Sequence, residues 1–314
     1  MLNHFITLYR GELAALAAAF LWASASVIYA SAGRNAAPLV LNLTKGIVAI
    51  AFMAMTLVAQ SAPFPGLSLP ELTMTEWLLL MGSGIIGIGI GDTAFFIALN
   101  SIGPRRTVLI EALAPPLSAL LAIAFLGEIL GWIDYGGIVL TVIGVTWVVL
   151  ERTGATHSRA SSGKTIYLLQ QQGLLYGLLA ALCQATGAVM SRAALAETSI
   201  SPLWSGLIRL TAGTIIVVGM MVVRRPDRNA LRPLQSPRFF ALITVTAFGS
   251  TFLAIWLQQT ALKYAETGVA QSLTSTSPLF VIPFAMMMGD RVSLRAVLGV
   301  FVALVGIWLL FQGH

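Results

Sequence analysis

Ten long apolar segments constrain this chain more than any other feature, because each is long enough to cross a bilayer. Runs of about 20 apolar residues match the ~30 Å hydrocarbon layer of a membrane. The chain has 314 residues, of which 57% are hydrophobic and 10% are charged. A soluble protein of this length does not hide so much apolar surface in one core. The predicted spans cover about 11–31, 38–60, 76–98, 104–126, 131–150, 173–195, 201–223, 238–261, 267–288 and 293–311.

The ten segments form two copies of five, which align when the sequence is shifted by 162 residues, as from Gly11 to Gly173. Because five is an odd number, the second copy must enter the membrane upside down relative to the first. Inverted repeats of this kind are typical of transporters, whose two halves close over a site near the midplane. Other aligned pairs are Leu13 with Leu175, Pro116 with Pro278, Gly127 with Gly289, Gly137 with Gly299 and Gly144 with Gly306.

This repeat predicts the fold class and the division of the chain. Lipid offers no hydrogen-bond partners to the backbone, so every span should be helical. We expect an all-α integral membrane protein with ten transmembrane helices, arranged as two inverted five-helix repeats around a central cavity. The first repeat covers residues 1–151, a linker covers 152–172, and the second repeat covers 173–314.

Membrane topology explains the net charge of +6 better than nucleic-acid binding does, since no segment outside the spans is long enough to fold alone. Most bases follow odd-numbered spans, including five arginines from Arg224 to Arg238. The opposite side carries only Arg10, Arg192 and Lys263. Because bases concentrate in cytoplasmic loops, this bias places the linker in the cytoplasm and both termini outside.

Prolines interrupt the predicted fourth and ninth spans. Pro115 and Pro116 lie near the middle of the fourth, and Pro278 and Pro283 lie in the ninth. Proline removes a backbone donor and frees a carbonyl one turn earlier, and such groups at membrane depth need protein or a water-filled cavity. A packed kink is one interpretation. Matching breaks in both copies favour another, in which the prolines mark helix breaks or gates beside the substrate path.

Three charged residues lie at matching depth inside the spans of the first copy. Lys45, Asp92 and Glu111 are each six or seven residues from the same membrane face, which is roughly 10 Å at ~1.5 Å per residue. Charges at this depth usually face a bundle interior or an aqueous cavity. Asp92 and Glu111 are therefore candidate proton-coupling residues. The alternative is a structural ion pair, such as Lys45 with Asp92, that only fixes helix packing.

A further set of polar residues predicts substrate contacts. Arg209 aligns with Lys45 if the short first loop differs by two residues, and it has less obvious carboxylate partners in its own half. It is therefore a candidate anchor for an anionic substrate group. Trp22 and Gln184 occupy equivalent positions in the first spans of the two copies. Trp22 could stack on a ligand and Gln184 could hydrogen-bond it. The alternative is that both residues serve ordinary packing or interfacial anchoring. The predicted substrate-binding residues are Arg209, Lys45, Trp22, Gln184, Asn42, Gln258, Gln259 and Thr274.

The sequence indicates neither a cofactor nor catalytic chemistry. Cys183 is the single cysteine and lies within a span, which excludes an intrachain disulfide and a four-cysteine metal site. His4, His157 and His314 lie outside the spans without metal-ligand spacing, and no Ser-His or Cys-His arrangement suggests a nucleophile. The glycines of 82–87 match a dinucleotide fingerprint, but that motif needs a preceding strand. Inside an apolar span, small residues instead favour close helix packing. We expect no cofactor, no metal and no enzymatic activity.

Small residues, prolines and acids recur at fixed places in both copies. They are Pro116, Gly127-Glu128, Gly137 and Gly144, repeated as Pro278, Gly289-Asp290, Gly299 and Gly306, together with Ala98-Leu99 and Ala261-Leu262. This pattern resembles the ten-span EamA-type members of the drug/metabolite transporter superfamily, over nearly the whole chain. The resemblance implies a basket of ten helices around a central cavity, with alternating access. It also implies cytoplasmic termini, opposite to the charge bias, and substrates among amino acids, nucleotide sugars, sugar phosphates and other metabolites.

The resulting functional hypothesis is a secondary transporter that exports small organic metabolites such as amino acids. No ATP-binding motif is present, so a gradient or an exchange should drive transport. The expected partners are a small-molecule substrate, the lipid bilayer and protons, with no nucleic acid and a monomer or weak dimer in the bacterial inner membrane. The alternatives are a membrane-embedded lipid-modifying enzyme and a membrane subunit that does not transport.

Overall fold

The structure is a computed structural model that describes residues 6–32, 37–61, 71–151, 163–196, 198–224, 233–277, 279–280 and 294–312, all of it without a β-strand. The first copy contains α1 (Arg10–Ala32), α2 (Pro38–Ser61), α3 (Met74–Ser83, a π-helical segment Gly84–Gly91, then Asp92–Glu111), α4 (Ala114–Leu126) and α5 (Trp132–Glu151). The second copy contains α6 (Gly163–Leu195), α7 (Pro202–Arg224), α8 (Pro237–Ala247, a π-helical segment Phe248–Leu253, then Ala254–Tyr264), α9 (Thr267–Thr274) and α10 (Leu294–Leu310).

Several of these helices have the length and apolar composition of membrane spans. Large apolar side chains on their outer surfaces are exposed, including Leu175, Val223 and Phe301, as expected for helices that face lipid. Among the described residues, the helical stretches long enough to cross a membrane are Leu39–Gln60, Met74–Ile102, Gln171–Leu195, Pro202–Arg224 and Pro237–Tyr264. Ala114–Leu126, Trp132–Trp147 and Val297–Leu310 are shorter apolar helices. The chain is therefore an all-helical integral membrane protein.

The chain turns back on itself within the helical stretch Asp92–Glu111. A straight helix would carry Ile110 about 12 Å beyond Ile102, to the part of the antiparallel α6 that precedes Gly173. Ile110 instead contacts Gly177, four residues after Gly173, so the chain reverses where the sequence predicts the end of the third span. The contacts that define these directions are Gly91 with Cys183, Ile102 with Gly173, and Ile110 with Gly177.

The two copies pack through exchanged helices rather than side by side. The first helix of each copy contacts the third helix of the other, α1 against the end of α8 and α6 against the end of α3. The second helix of each copy contacts the π-helical segment of the other. Equivalent helices also meet directly, in the pairs α2 with α7 and α5 with α10, and α4 packs against α9. The core therefore lies between the copies, with buried residues from both, such as Ala15 and Leu273.

Glycines determine the close approach of α5 and α10. A Cβ added at Gly137 would lie 3.0 Å from the Gly306 carbonyl oxygen, and one at Gly144 would lie 2.7 Å from that of Gly299. Small residues permit this backbone contact. Because Gly137 is near Gly306 while Gly144 is near Gly299, the two equivalent helices run antiparallel.

Each third helix contains a π-helical segment at a matching position. Shifting Gly84–Gly91 by the repeat offset gives 246–253, which includes the observed segment Phe248–Leu253. The glycines that match a dinucleotide fingerprint lie at the first of these segments. Gly84 packs against the backbone of Arg209, and a Cβ added at Gly213 would lie 2.7 Å from the Gly84 carbonyl oxygen. These contacts support close helix packing as the role of the glycines. π-helical turns often occur at functional sites.

The helix break in the first copy comes just before the prolines. α3 ends at Glu111, a turn follows in which the Leu113 amide donates to the Ile110 carbonyl at 3.0 Å, and α4 begins at Ala114. Pro115 and Pro116 occupy the first turn of α4, where a missing N–H is tolerated.

The second copy has a comparable interruption, although its prolines are not described. α9 ends at Thr274 and a turn follows at Ser275 and Thr276. Pro278 and Pro283 lie outside the described residues, as does 152–162 of the predicted linker.

Candidate functional site

An ion pair lies at the end of the π-helical segment of α3. Lys45 Nζ on α2 is 2.7 Å from Asp92 Oδ2, and the same ammonium lies 5.1 Å from the ring centroid of Phe96, within cation–π range. The two side chains retain 12% and 22% exposure. The structure thus brings together two of the three charges that the sequence placed at one membrane depth. They form the Lys45–Asp92 ion pair that the sequence analysis gave as the alternative to proton coupling.

Glu111, the third charge of that layer, lies close enough to Asp92 to interact electrostatically with it. Its Oε1 atom is buried and has no hydrogen-bond partner among the described residues. Cys183 of α6 is within electrostatic reach of the same carboxylate. The first copy therefore holds two carboxyl groups that interact electrostatically, one paired with Lys45 and the other at the end of α3.

Arg209 is the most deeply buried cation of the site. It lies on α7 with 3% exposure, and its Nε and Nη1 atoms have no hydrogen-bond partner in the described part of the chain. Asp92 interacts with it electrostatically, but no described carboxylate lies within the 4.0 Å of an ion pair. Burial of an unpaired charge is costly. The Nε and Nη1 atoms of Arg209 are therefore donors that a bound molecule could use.

Gln184 and Arg209 converge on Gly87, inside the π-helical segment of α3. A Cβ added at Gly87 would lie 3.4 Å from Arg209 Nη2 and 3.7 Å from Gln184 Oε1. Both polar side chains were predicted from the sequence, but Gly87 was assigned to packing alone. The signal that marks it is its repeat partner Gly249, 162 residues later.

Trp22, the equivalent of Gln184, contacts the other π-helical segment. Its Nε1 donates to the Ser250 carbonyl oxygen at 2.8 Å, and the Ser250 hydroxyl donates to the Tyr29 hydroxyl at 3.2 Å. The two equivalent positions therefore both face the π-helical segment of the opposite copy. On the Trp22 side the polar group already has a protein partner.

The remaining predicted substrate-binding residues lie on α2, α8 and α9. Gln258 is buried, and Gln259 Nε2 is unbonded within the described chain. The hydrogen bonds are Asn42 Nδ2 to Thr93 Oγ1 (3.4 Å) and Ile88 O (3.5 Å), Ser205 Oγ to Gln259 Oε1 (2.8 Å), and Thr274 Oγ1 to Gln271 O (3.0 Å). Asn42 thus belongs to the charged site around α3, whereas the other three lie in the second copy.

A second ion pair, which the sequence did not suggest, joins the two copies at the opposite membrane face. Arg192 Nε donates to Glu128 Oε1 at 2.8 Å, and Arg192 Nη1 donates to the carbonyl oxygens of Leu262 and Lys263 at 3.0 and 2.9 Å. Glu128 Oε2 accepts from the Thr267 amide at 3.0 Å. We name Glu128, Arg192 and Thr267 the interface latch, because they tie the loop after α4 to the ends of α6, α8 and α9.

Comparisons with known proteins place the chain in a family. The family described as "EamA-like transporter family" matches residues 9–150 and 171–312, one match for each copy. A solved structure titled "Crystal structure of protein" has the same fold, with a TM-score of 0.75 at 16% identity over 98% of this chain and 99% of that one. No curated protein matches. Because the two family matches together cover most of the sequence, this chain belongs to the EamA-like transporter family.

Proposed function

We propose that this chain is a secondary transporter that exports small organic metabolites such as amino acids. The observation that carries the proposal is the set of buried, unbonded polar atoms around the π-helical segment of α3, namely Glu111 Oε1 and Arg209 Nε and Nη1. Charged groups inside membrane helices usually mark substrate or ion pathways. These groups also lie where α2, α6 and α7 meet α3, between the two copies.

Alternating access is the proposed mechanism, with the two copies related as inverted repeats of ten spans. The antiparallel contact between α5 and α10 supports this, since two equivalent helices can run in opposite directions only if one copy is inverted. The exchange of first and third helices supports it as well. In such transporters the two halves rock against each other around a fixed site at their interface.

Proton coupling is the proposed energy source, and Asp92 and Glu111 are the proposed coupling residues. The two carboxyl groups interact electrostatically, Asp92 lies 2.7 Å from Lys45, and Glu111 Oε1 is buried without a hydrogen-bond partner among the described residues. We propose that such a carboxyl group binds a proton on one side of the membrane and releases it on the other. The helix breaks at Pro115 and Pro116 and at Pro278 and Pro283 are the proposed flexing points. The bacterial inner membrane is the proposed location.

Comparison of metabolites in cells that overexpress or lack this chain tests the export proposal. We expect one small group of metabolites to rise outside overexpressing cells and to accumulate inside deletion cells. A change restricted to membrane lipids would instead indicate a lipid-modifying enzyme. No change in either pool would favour a membrane subunit without transport. The Arg209→Ala variant is the matched control, because it should express normally without exporting.

A further inference from the structure

We propose that the interface latch is a gate. It closes the membrane face at which α1 begins, and it opens when α4 swings about the helix break that follows Glu111. The inference rests on the proposed transport function, to which it adds three gating residues, Glu128, Arg192 and Thr267. It requires neither a particular solute nor a direction of transport.

One side of α6 leads from the buried polar site to the latch. Gln184, Ala188 and Arg192 follow one another at intervals of four residues on this helix, so their side chains lie along one side of it. Gln184 Oε1 faces Gly87 next to Arg209. Arg192 lies eight residues further on, which is about 12 Å nearer the membrane face. The latch therefore lies on the way from the buried site to that face.

Ala188 occupies the layer between the site and the latch. It is 2% exposed and belongs to the same core cluster as Ala119 of α4 and Leu273 of α9. These are the helices whose ends the latch ties to α6. Separation of α4 from α6 and α9 would open this layer to water, so the state of the latch determines whether water reaches Ala188.

The latch is held by charged side chains at helix ends. Arg192 donates to the carbonyl oxygens of Leu262 and Lys263 in the last turn of α8, and Glu128 accepts from the amide of Thr267, the first residue of α9. A cation is favoured at the first kind of helix end and an anion at the second. Arg192 and Glu128 keep 17% and 12% side-chain exposure, so water can replace each partner when the latch opens.

α4 connects the latch to the proposed coupling residues. Glu111 ends α3 just before α4, and Gly127 ends α4 with a φ of 66° just before Glu128. The 13 residues of α4 form a rod about 20 Å long, which packs against α6 and α9. A movement at the break after Glu111 is therefore transmitted along α4 to Glu128.

The corresponding residues of the other copy cannot build the same latch at the other membrane face. A shift of 162 residues takes Arg192 to Ala30, and alanine has no side-chain donor for the carbonyl oxygens at a helix end. Glu128 corresponds to Asp290, which lies outside the described residues. A latch of this composition is thus confined to one face, and it biases the resting protein towards closure there.

Labelling of a buried thiol tests the gate without any solute. Ala188→Cys in a Cys183→Ala background places the single thiol beneath the latch, and its reaction with a water-soluble maleimide is followed on purified full-length protein in detergent. We expect slow labelling with the latch intact. Adding Glu128→Gln should raise the rate about tenfold or more, the shift in equilibrium from weakening one hydrogen bond between charged groups. Glu71→Cys, at an exposed position, gives the rate of a freely accessible thiol.

Two further variants separate gating from a general loosening of the protein. Gly144→Ala disturbs the contact between α5 and α10, which involves none of the latch residues. It should leave the labelling rate of Ala188→Cys unchanged at a temperature below the thermal midpoint. Thr267→Val keeps the shape of its side chain and removes the hydroxyl that donates to Glu128 Oε1. It should raise the rate by a smaller factor, and it provides the test if Glu128→Gln does not fold.

Three results would overturn the inference. An unchanged rate in both Glu128→Gln and Thr267→Val would show that the latch does not control access to Ala188. An equal increase in Gly144→Ala would attribute the labelling to general loosening. Labelling as fast as that of Glu71→Cys with the latch intact would show that this face is not closed. Counterflow of the same preparations in proteoliposomes is measured separately, so failure of the gate and failure of the transport function are distinguished.

Discussion

Lys45 on α2 and Asp92 on α3 form a 2.7 Å ion pair at the residue where the π-helical segment ends. The pair balances the charge of Asp92 and leaves Glu111 with a buried, unbonded Oε1 atom in the described structure. The buried Arg209 also interacts electrostatically with Asp92, so the two cations and two acids carry no net charge when all four are ionised. Uptake of one proton by either acid would change that balance, which is the basis of the first prediction.

Neutral isosteres at the two carboxylates should uncouple transport from protons. In Asp92→Asn and Glu111→Gln we expect loss of pH-driven flux but retention of counterflow exchange, because the shape of the site is kept while its proton acceptor is removed. Flux into proteoliposomes with and without a pH gradient measures both. Glu71→Gln, at an exposed position outside the helices, is the control. Full pH-driven flux in either variant would exclude that residue from coupling.

Arg209 should be required for transport but not for folding. Arg209→Ala removes a cation that has no ion-pair partner within reach among the described residues, so we expect normal expression and a flux lower by at least about tenfold, from the loss of charge-assisted hydrogen bonds. Arg209→Lys should restore transport only in part, since lysine is a point charge without the planar fork. Wild-type flux through Arg209→Ala would contradict a role in substrate binding.

The interface latch should stabilise the association of the two copies. Glu128→Gln weakens its bond to Arg192 and removes one of the two acceptors that hold the Thr267 backbone and side chain. Loss of a hydrogen bond to a charged group costs about 1.5–3 kcal/mol, so the thermal midpoint in detergent should fall. Glu71→Gln again serves as the control, and an equal midpoint for the two variants would rule out the stabilising role.

The glycine contact between α5 and α10 should tolerate no added methyl group. A Cβ at Gly144 would lie 2.7 Å from both Ala303 Cα and the Gly299 carbonyl oxygen, so the helices would have to separate. Overpacking of this kind costs roughly 1–3 kcal/mol. Gly219→Ala is matched, because a Cβ at Gly219 meets nothing within 4 Å. Comparable midpoints for Gly144→Ala and Gly219→Ala would show that α5 and α10 do not pack through these glycines.

The sequence was informative wherever a residue's depth or repeat position determined its neighbours. Counting residues from the membrane face placed Lys45 and Asp92 in one layer, and the offset of the repeat gave Trp22 and Gln184 equivalent positions in their two copies. It also located a break in the fourth span, although the helix ends at Glu111, just before the prolines rather than at them. These successes depend on spacing along single helices, which is visible in the sequence.

Two features were missed because spacing along one helix does not encode them. The π-helical segment at Gly84–Gly91 differs from an α-helix only in its hydrogen-bond register. Its glycines therefore indicated close packing, but not that Arg209 and Gln184 converge on Gly87. The interface latch joins Glu128 to Arg192, 64 positions apart and in different copies. Such a pair becomes adjacent only when the copies assemble.

Counterflow in proteoliposomes tests most directly whether this chain is a secondary transporter. Purified protein is reconstituted into vesicles preloaded with the metabolites that rise outside overexpressing cells, and entry of the same metabolites in labelled form is followed without an ion gradient. We predict transient accumulation above equilibrium in wild-type vesicles and none in vesicles with Arg209→Ala. Equal, passive entry into wild-type, variant and protein-free vesicles would contradict the account.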